Sequence, residues 1–180
     1  MLLFRLLWGF WGSHASRFAS FLRGPGAVLR YLRGAGSDAG TSTPPPPANG
    51  HNPLGGWYIA LVLLLLLLQA VSGLFNSDDI LFDGPLHHLA SNEWQDRFGL
   101  MHEWLFDGVL VLAGLHILAV AYHQFARREP LVQAMVRGAA PGRTGERAPV
   151  SLWRAVLCAG LLGLLIWGSL ALVPPPVSPW

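Results

Sequence analysis

His102 and His116 lie 14 residues apart inside one apolar stretch long enough to cross a bilayer. At roughly 100° and 1.5 Å per residue, that spacing returns the second side chain to within roughly 40° of the first and separates the two by about 21 Å along a helix axis. One helix face then presents a nitrogen ligand near each membrane surface. Two chemistries fit such a pair. The first is axial ligation of two b-type haems stacked across the membrane, because iron in a low-spin electron carrier takes a neutral nitrogen on each side of the ring. The second is hydrogen bonding between helices, since polar side chains often join membrane helices. Spacing alone leaves both open.

Ionisable groups inside a span are costly, and each needs a reason to be there. The same stretch carries Glu103, Asp107 and His123. Glu103 and Asp107 are spaced i, i+4 and share a face. They fit proton release beside a quinol site or orientation of a ligand imidazole, and they equally fit a hydrated helix end. We read Glu103 as the hydrated end and leave Asp107, one turn deeper, between the two. His123 lies one heptad beyond His116, beside Arg127 and Arg128, where it suits a haem propionate, a quinone headgroup or a plain interfacial position. His51, in GHNPLGG, precedes Pro53, which suits a first helical turn. It reads as structural or as a propionate contact. Gly108 and Gly114 lie near the ligand face and would let a flat macrocycle approach the backbone. His14, His87 and His88 fall in surface segments and receive no role. Cys158 stands alone, so neither a disulfide framework nor a thiolate metal site can be built.

The elements that must position these residues are membrane helices. A 180-residue chain that is 52% hydrophobic and 12% charged has more apolar surface than a soluble core of ordinary size can hide. Three stretches reach the length of about 20 apolar residues that a span requires: residues 54–75, about 100–125, and 152–173. The opening MLLFRLLWGFWGS is apolar for too short a distance to span and has Arg5 within it. We read residues 1–12 as the end of a helix rather than as a signal peptide. The expected fold class is an all-α integral membrane helical bundle, with three full transmembrane helices plus an N-terminal helix remnant.

Charge sets the expected orientation. All twelve basic residues are arginine, and they crowd residues 13–53 and 126–151, while the loop 76–99 carries Asp78, Asp79, Asp83, Glu93 and Asp96 against Arg97. By the positive-inside rule the first two connections are cytoplasmic and the acidic one periplasmic. His102 then lies toward the outer surface and His116 deeper. Residues 34–52, with Pro44 to Pro47, read as a stiff disordered connector, and PGAVLRYLRG before them as a short helix on the inner leaflet. The arginines are split between two loops and form no stripe with interleaved aromatics, so nucleic acid is not an expected partner. The chain has no Gly-rich phosphate loop and no nucleophile with a base beside it.

These residues carry a family resemblance. The segments FRLLWGFWGSHASRFASFLRGP, YLRG, GHNPLGGWYIALVLLLLLLQAVSGLFNSDDILFDGPL, LMHEWLFDGVLVLAGLHILAVAYH and LVQAMVRG cover most of residues 1–138 in preserved order. They resemble the bacterial cytochrome b561 family, which includes the di-haem cytochrome b subunit of nickel-iron hydrogenases. The resemblance implies a cytochrome b561-like membrane domain over 1–138. Residues 139–180 then add a cytoplasmic loop, a further helix and a short tail.

The resemblance also implies an electron carrier of the inner membrane, with haem b as cofactor. Its electrons would pass between the quinone pool and a c-type cytochrome or a dehydrogenase or hydrogenase subunit. A homodimer stays open. His102 and His116 match the positions at which one family helix gives a ligand to each haem. The other two ligands come from the family's first helix and the start of its second, and this sequence begins where that second helix is ending. We expect a longer reading frame upstream of Met1 that supplies them. Ligands borrowed from a neighbour, or a haem-free chain that anchors a partner enzyme, are the alternatives.

Overall fold

The computed structural model describes residues 1–33, 53–78, 80–128, 131–137 and 151–174. Among them the chain is all-α. Helix α1 spans Leu2–Trp11, a single turn α2 spans Phe18–Phe21, and α3 spans Pro25–Leu32. The long helices are α4 (Pro53–Gly73), α5 (Asn92–Ala121) and α7 (Leu152–Ala171), with the short α6 (Leu131–Arg137) between the last two. Short 3-10 turns at His14–Ser16 and His87–Leu89 complete the described elements, and one isolated bridge, Ser77 to Asp83, is the nearest approach to a sheet.

Among the described residues three helices are long and apolar enough to cross a membrane: Pro53–Gly73, Asn92–Ala126 and Leu152–Ala171. In hydrocarbon no water can satisfy a peptide group, so a spanning segment must close its own hydrogen bonds, and a Leu-rich run does so as a helix. Side-chain exposure agrees with a lipid surround. Phe21 is the one buried hydrophobic residue among those described, while residues such as Leu118, Leu164 and Trp167 stay about two-thirds exposed or more. A soluble protein of this composition would collapse around them. This one leaves them for lipid.

Helix α5 begins at Asn92, eight residues before the apolar run that marked it in the sequence. The first two turns, NEWQDRFG, are polar, so hydropathy understates the helix. Its start has ordinary local causes. The Ser91 carbonyl accepts the Trp94 and Gln95 amides at 2.8 and 2.9 Å, Glu93 complements the helix dipole, and Arg97 pairs with Glu93 at 2.6 Å across one turn. At its other end α5 loosens into a π turn over Tyr122–Ala126, and Arg128 leaves it with a positive φ of 55°. Helix α3 occupies the PGAVLRYLRG segment, and α6 forms in LVQAMVRG where the sequence signalled only a loop. The connector 34–52, the arginines at 143 and 147, and the residues after 174 lie outside the described residues.

The chain divides into two compact units that cut across the long helices. One comprises Met1–Leu6, Val62–Val111 and Leu152–Trp180, the other Leu7–Leu61 and Leu112–Ser151. In the first, the end of α4 is tied to the start of α5. Phe75 stacks on Phe98 at 4.5 Å, Trp94 packs against the same ring, and Arg97 lies over Trp94. The loop between them is pinned by Gly84 N to Asn76 O and Leu86 N to Leu74 O, both 2.8 Å, and His88 reaches the Pro174 carbonyl beyond α7. In the second unit, Phe10, Phe18 and Phe21 form an aromatic cluster. Trp57 Nε1 donates to the Arg23 carbonyl at 2.8 Å, and Gly56 lies directly against the backbone of Phe21.

Two outcomes follow from these contacts. A Cβ at Gly56 would run into the Phe21 carbonyl, which cannot swing aside, so Gly56→Ala should cost about 1–3 kcal/mol. The thermal unfolding midpoint in detergent measures it. In the loop, the Asp78 carboxylate accepts the amides of Phe82, Leu81 and Ile80 at 2.7, 2.8 and 3.1 Å, and these bonds, led by that of Phe82, lower its pKa from 3.8. A lowered folded pKa stabilises the turn above the ordinary carboxylate pKa and loses that contribution as pH falls through the lowered value. Amide exchange at residues 80–82 should therefore stay protected in mild acid and rise only below about pH 4, and Asp78→Asn should raise it at neutral pH.

Candidate functional site

Helix α4 carries one amide in its leucine run, Gln69, and one hydroxyl three residues on, Ser72. Positions three apart share a face of a helix, so the two meet the same neighbour. That neighbour is His102 of α5. Its Nδ1 lies 3.0 Å from Ser72 Oγ and 3.1 Å from the main-chain carbonyl of Gln69, and Ser72 Oγ also lies 3.0 Å from that carbonyl. A carbonyl only accepts, so Nδ1 must carry the proton. Its N–H is then shared between Ser72 Oγ and the Gln69 carbonyl, while the Ser72 hydroxyl donates to that carbonyl. Ser72 is fully buried by this arrangement and fully satisfied by it.

With the proton on Nδ1, Nε2 of His102 has a free lone pair. The Gln69 side-chain amide donates to it at 3.0 Å. The cost is visible on the other half of the amide, because Gln69 Oε1 is buried with no hydrogen-bond partner. A buried acceptor left unmade costs roughly 1–3 kcal/mol. Gly73 completes the setting, since a Cβ there would come within 3.0 Å of His102 Cε1. A side chain there would make the ring give by a few tenths of an ångström at the end of α4.

His116 is held by other means. Its ring is exposed and stacks on Tyr58 of α4 at 5.7 Å and 13°. The Tyr58 hydroxyl donates to the Leu112 carbonyl at 2.7 Å, one turn before His116 on α5. One bond fixes the phenol ring and the phenol ring fixes the plane of the imidazole. Beside it a Cβ at Gly114 would meet nothing within 4 Å, and one at Gly108 would just touch Leu65.

The other sequence candidates fall apart from these two centres. Glu103 and Asp107 are exposed on α5 and take no part in the His102 hydrogen bonds. His123 sits half-buried in the π turn, edge-on to Tyr122. His51 lies outside the described residues. Gln69, Ser72 and Tyr58 were not singled out from the sequence. The signal for the first two was present: an amide and a hydroxyl on one face of a leucine helix have no reason to be there unless something polar faces them.

The donor set bears on what could bind. Among the described residues no three His, Cys, Asp or Glu side chains come together, so a bare ion has no cage. A group that brings its own equatorial ligands needs only imidazoles, and a metal-binding histidine characteristically gives its other N–H to a backbone carbonyl. His102 fits haem on that criterion, with Nε2 as the nitrogen for iron. His116 fits by its exposed, oriented ring.

The family model for prokaryotic cytochrome b561 matches residues 1–138. No curated protein and no solved structure matches the chain.

Adding one methyl group at Gly73 tests how tightly the first centre is built. Gly73→Ala must push the His102 ring by a few tenths of an ångström and lengthen its bonds to Ser72 and Gln69. The expected loss is roughly 1 kcal/mol, seen as a lower unfolding midpoint, and Gly114→Ala should change it little.

Proposed function

The chain belongs to the prokaryotic cytochrome b561 family, and from that premise we propose that it passes electrons between the quinone pool and a redox partner through two haems stacked along α5. The coarse assignment is direct: this is a bacterial membrane b-type cytochrome of electron transfer, and its cofactor is haem b. The proposal concerns how these residues serve it. His102 and His116 are the axial ligands this chain contributes, one to each haem.

The observation that carries the reading is the 3.1 Å contact between His102 Nδ1 and the Gln69 carbonyl, which calls for the proton on Nδ1 and would leave Nε2 for iron. Bound haem supplies a one-electron couple buried from water. The chain's own residues do the rest. Ser72 and the Gln69 carbonyl orient the first imidazole, and Tyr58 orients the second. The apolar faces of α4 and α5 exclude water and lower the local dielectric, which sets potential together with the ligand hydrogen bonds. His123 and His51 are proposed contacts for a haem propionate or a quinone headgroup. Physiologically the protein sits in the inner membrane, with residues 13–53 and 126–151 cytoplasmic and 76–99 periplasmic. Its partner is a c-type cytochrome or a dehydrogenase or hydrogenase subunit.

The test is spectral. In protein purified from haem-replete cells, His116→Ala should abolish one b-type component of the reduced-minus-oxidised spectrum and leave the other intact. His102→Ala should do the converse. Equal loss of both components by either substitution would contradict separate sites, and a colourless wild type would end the proposal.

A further inference from the structure

The His102 hydrogen bonds are not symmetrical. On the Nδ1 side every group is satisfied: the ring N–H, the Ser72 hydroxyl and the Gln69 carbonyl form a closed set around a side chain that is 0% exposed. On the Nε2 side the Gln69 amide spends one donor on the imidazole and leaves Oε1 buried and unpartnered. Reversing the amide would not help, because an oxygen facing the lone pair of Nε2 finds no proton. One side is at rest and the other holds an unmet acceptor.

We propose that this is a two-part clasp. Ser72, with the Gln69 carbonyl, is the fixed part: the carbonyl keeps the His102 proton on Nδ1, and Ser72 is a positioning residue that accepts the same N–H and fixes the ring. The Gln69 side chain is the movable part, a latch that covers Nε2 until haem takes that nitrogen. The inference rests on haem ligation by His102 as proposed above. It assigns opposite roles to two neighbours on one helix face. When Nε2 gives its lone pair to iron, the Gln69 amide must turn away, and turning frees Oε1 from a position in which it has no partner. The latch therefore opposes ligation weakly, whereas Ser72 favours it. A merely structural pair would affect binding in the same direction.

The experiment uses the full chain in detergent, freed of haem, with histidine ring nitrogens labelled by ¹⁵N and haemin as the titrant. In the wild type the His102 signals should report Nδ1–H, and haemin should bind with loss of the free Nε2 signal. Ser72→Ala should leave the tautomer, which the Gln69 carbonyl sets, but loosen the ring and weaken haemin binding roughly 10- to 100-fold, the usual effect of removing a partner behind a metal ligand. Ser72→Thr should restore binding. Gln69→Leu should leave the tautomer alone and tighten binding by up to about tenfold, as expected for removal of one competing hydrogen bond.

An Nε2–H ring in the wild type, or Gln69→Leu weakening haemin as Ser72→Ala does, overturns the clasp. Wild type that binds haemin at His102 while both variants match it overturns the clasp alone and spares the function. Wild type that takes no haemin at His102 overturns both.

Discussion

Hydrocarbon gives a polar group nowhere to turn but to the protein, and that constraint organises this molecule. It makes the spans helical, because only a helix satisfies its own backbone within one segment. It also decides which side chains can join helices. A leucine in lipid gains little by touching another leucine, since the tails are as apolar as it is. An imidazole, an amide or a hydroxyl gains a partner it would otherwise lack. The contacts that tie α4 to α5 reflect this within each unit: Gln69 and Ser72 with His102, and Tyr58 with Leu112 and His116. Phe21 is the one buried hydrophobic residue described, so these polar meetings, with the Phe75–Phe98 stack, stand in for a packed core.

Under the same constraint, residues that join the helices are also the ones proposed to hold the cofactor. A neutral histidine, the form that would ligate iron, can be buried at modest cost provided its N–H has an acceptor. The Gln69 carbonyl serves as that acceptor while also taking the Ser72 hydroxyl, two uses its two lone pairs permit. The two histidines illustrate two ways of orienting a ring. His102 is fixed by hydrogen bonds at its far nitrogen, which also influence how strongly its near nitrogen donates. His116 is set by a flat aromatic neighbour, which fixes the plane of its ring. Two b-type centres held in these different ways would differ in potential for reasons seated in the chain itself.

How much of this was legible in advance depends on the range of the interaction concerned. The all-α class, the three spanning helices and the short helix at the N-terminus follow from apolar run lengths, which are local, and the family follows from short motifs in preserved order. The start of α5 was misplaced by eight residues because run length reports where the membrane lies, whereas the helix continues outward through NEWQDRFG on capping and charge pairs. Helix α6 was passed over because seven residues between arginine-rich segments resemble a loop in composition.

The linear order of residues by itself determined that this chain is built for lipid and pointed to two histidines on one helix as the ones to look at, because hydropathy and helical period are properties of a segment. Only the tertiary structure decided which nitrogen of His102 faces the Gln69 carbonyl, what a side chain at position 73 would meet, and which groups Gln69, Ser72 and Tyr58 touch. Those answers depend on residues some 30 to 58 positions apart in the chain coming within hydrogen-bonding or stacking distance. No local pattern encodes the distance between two helices.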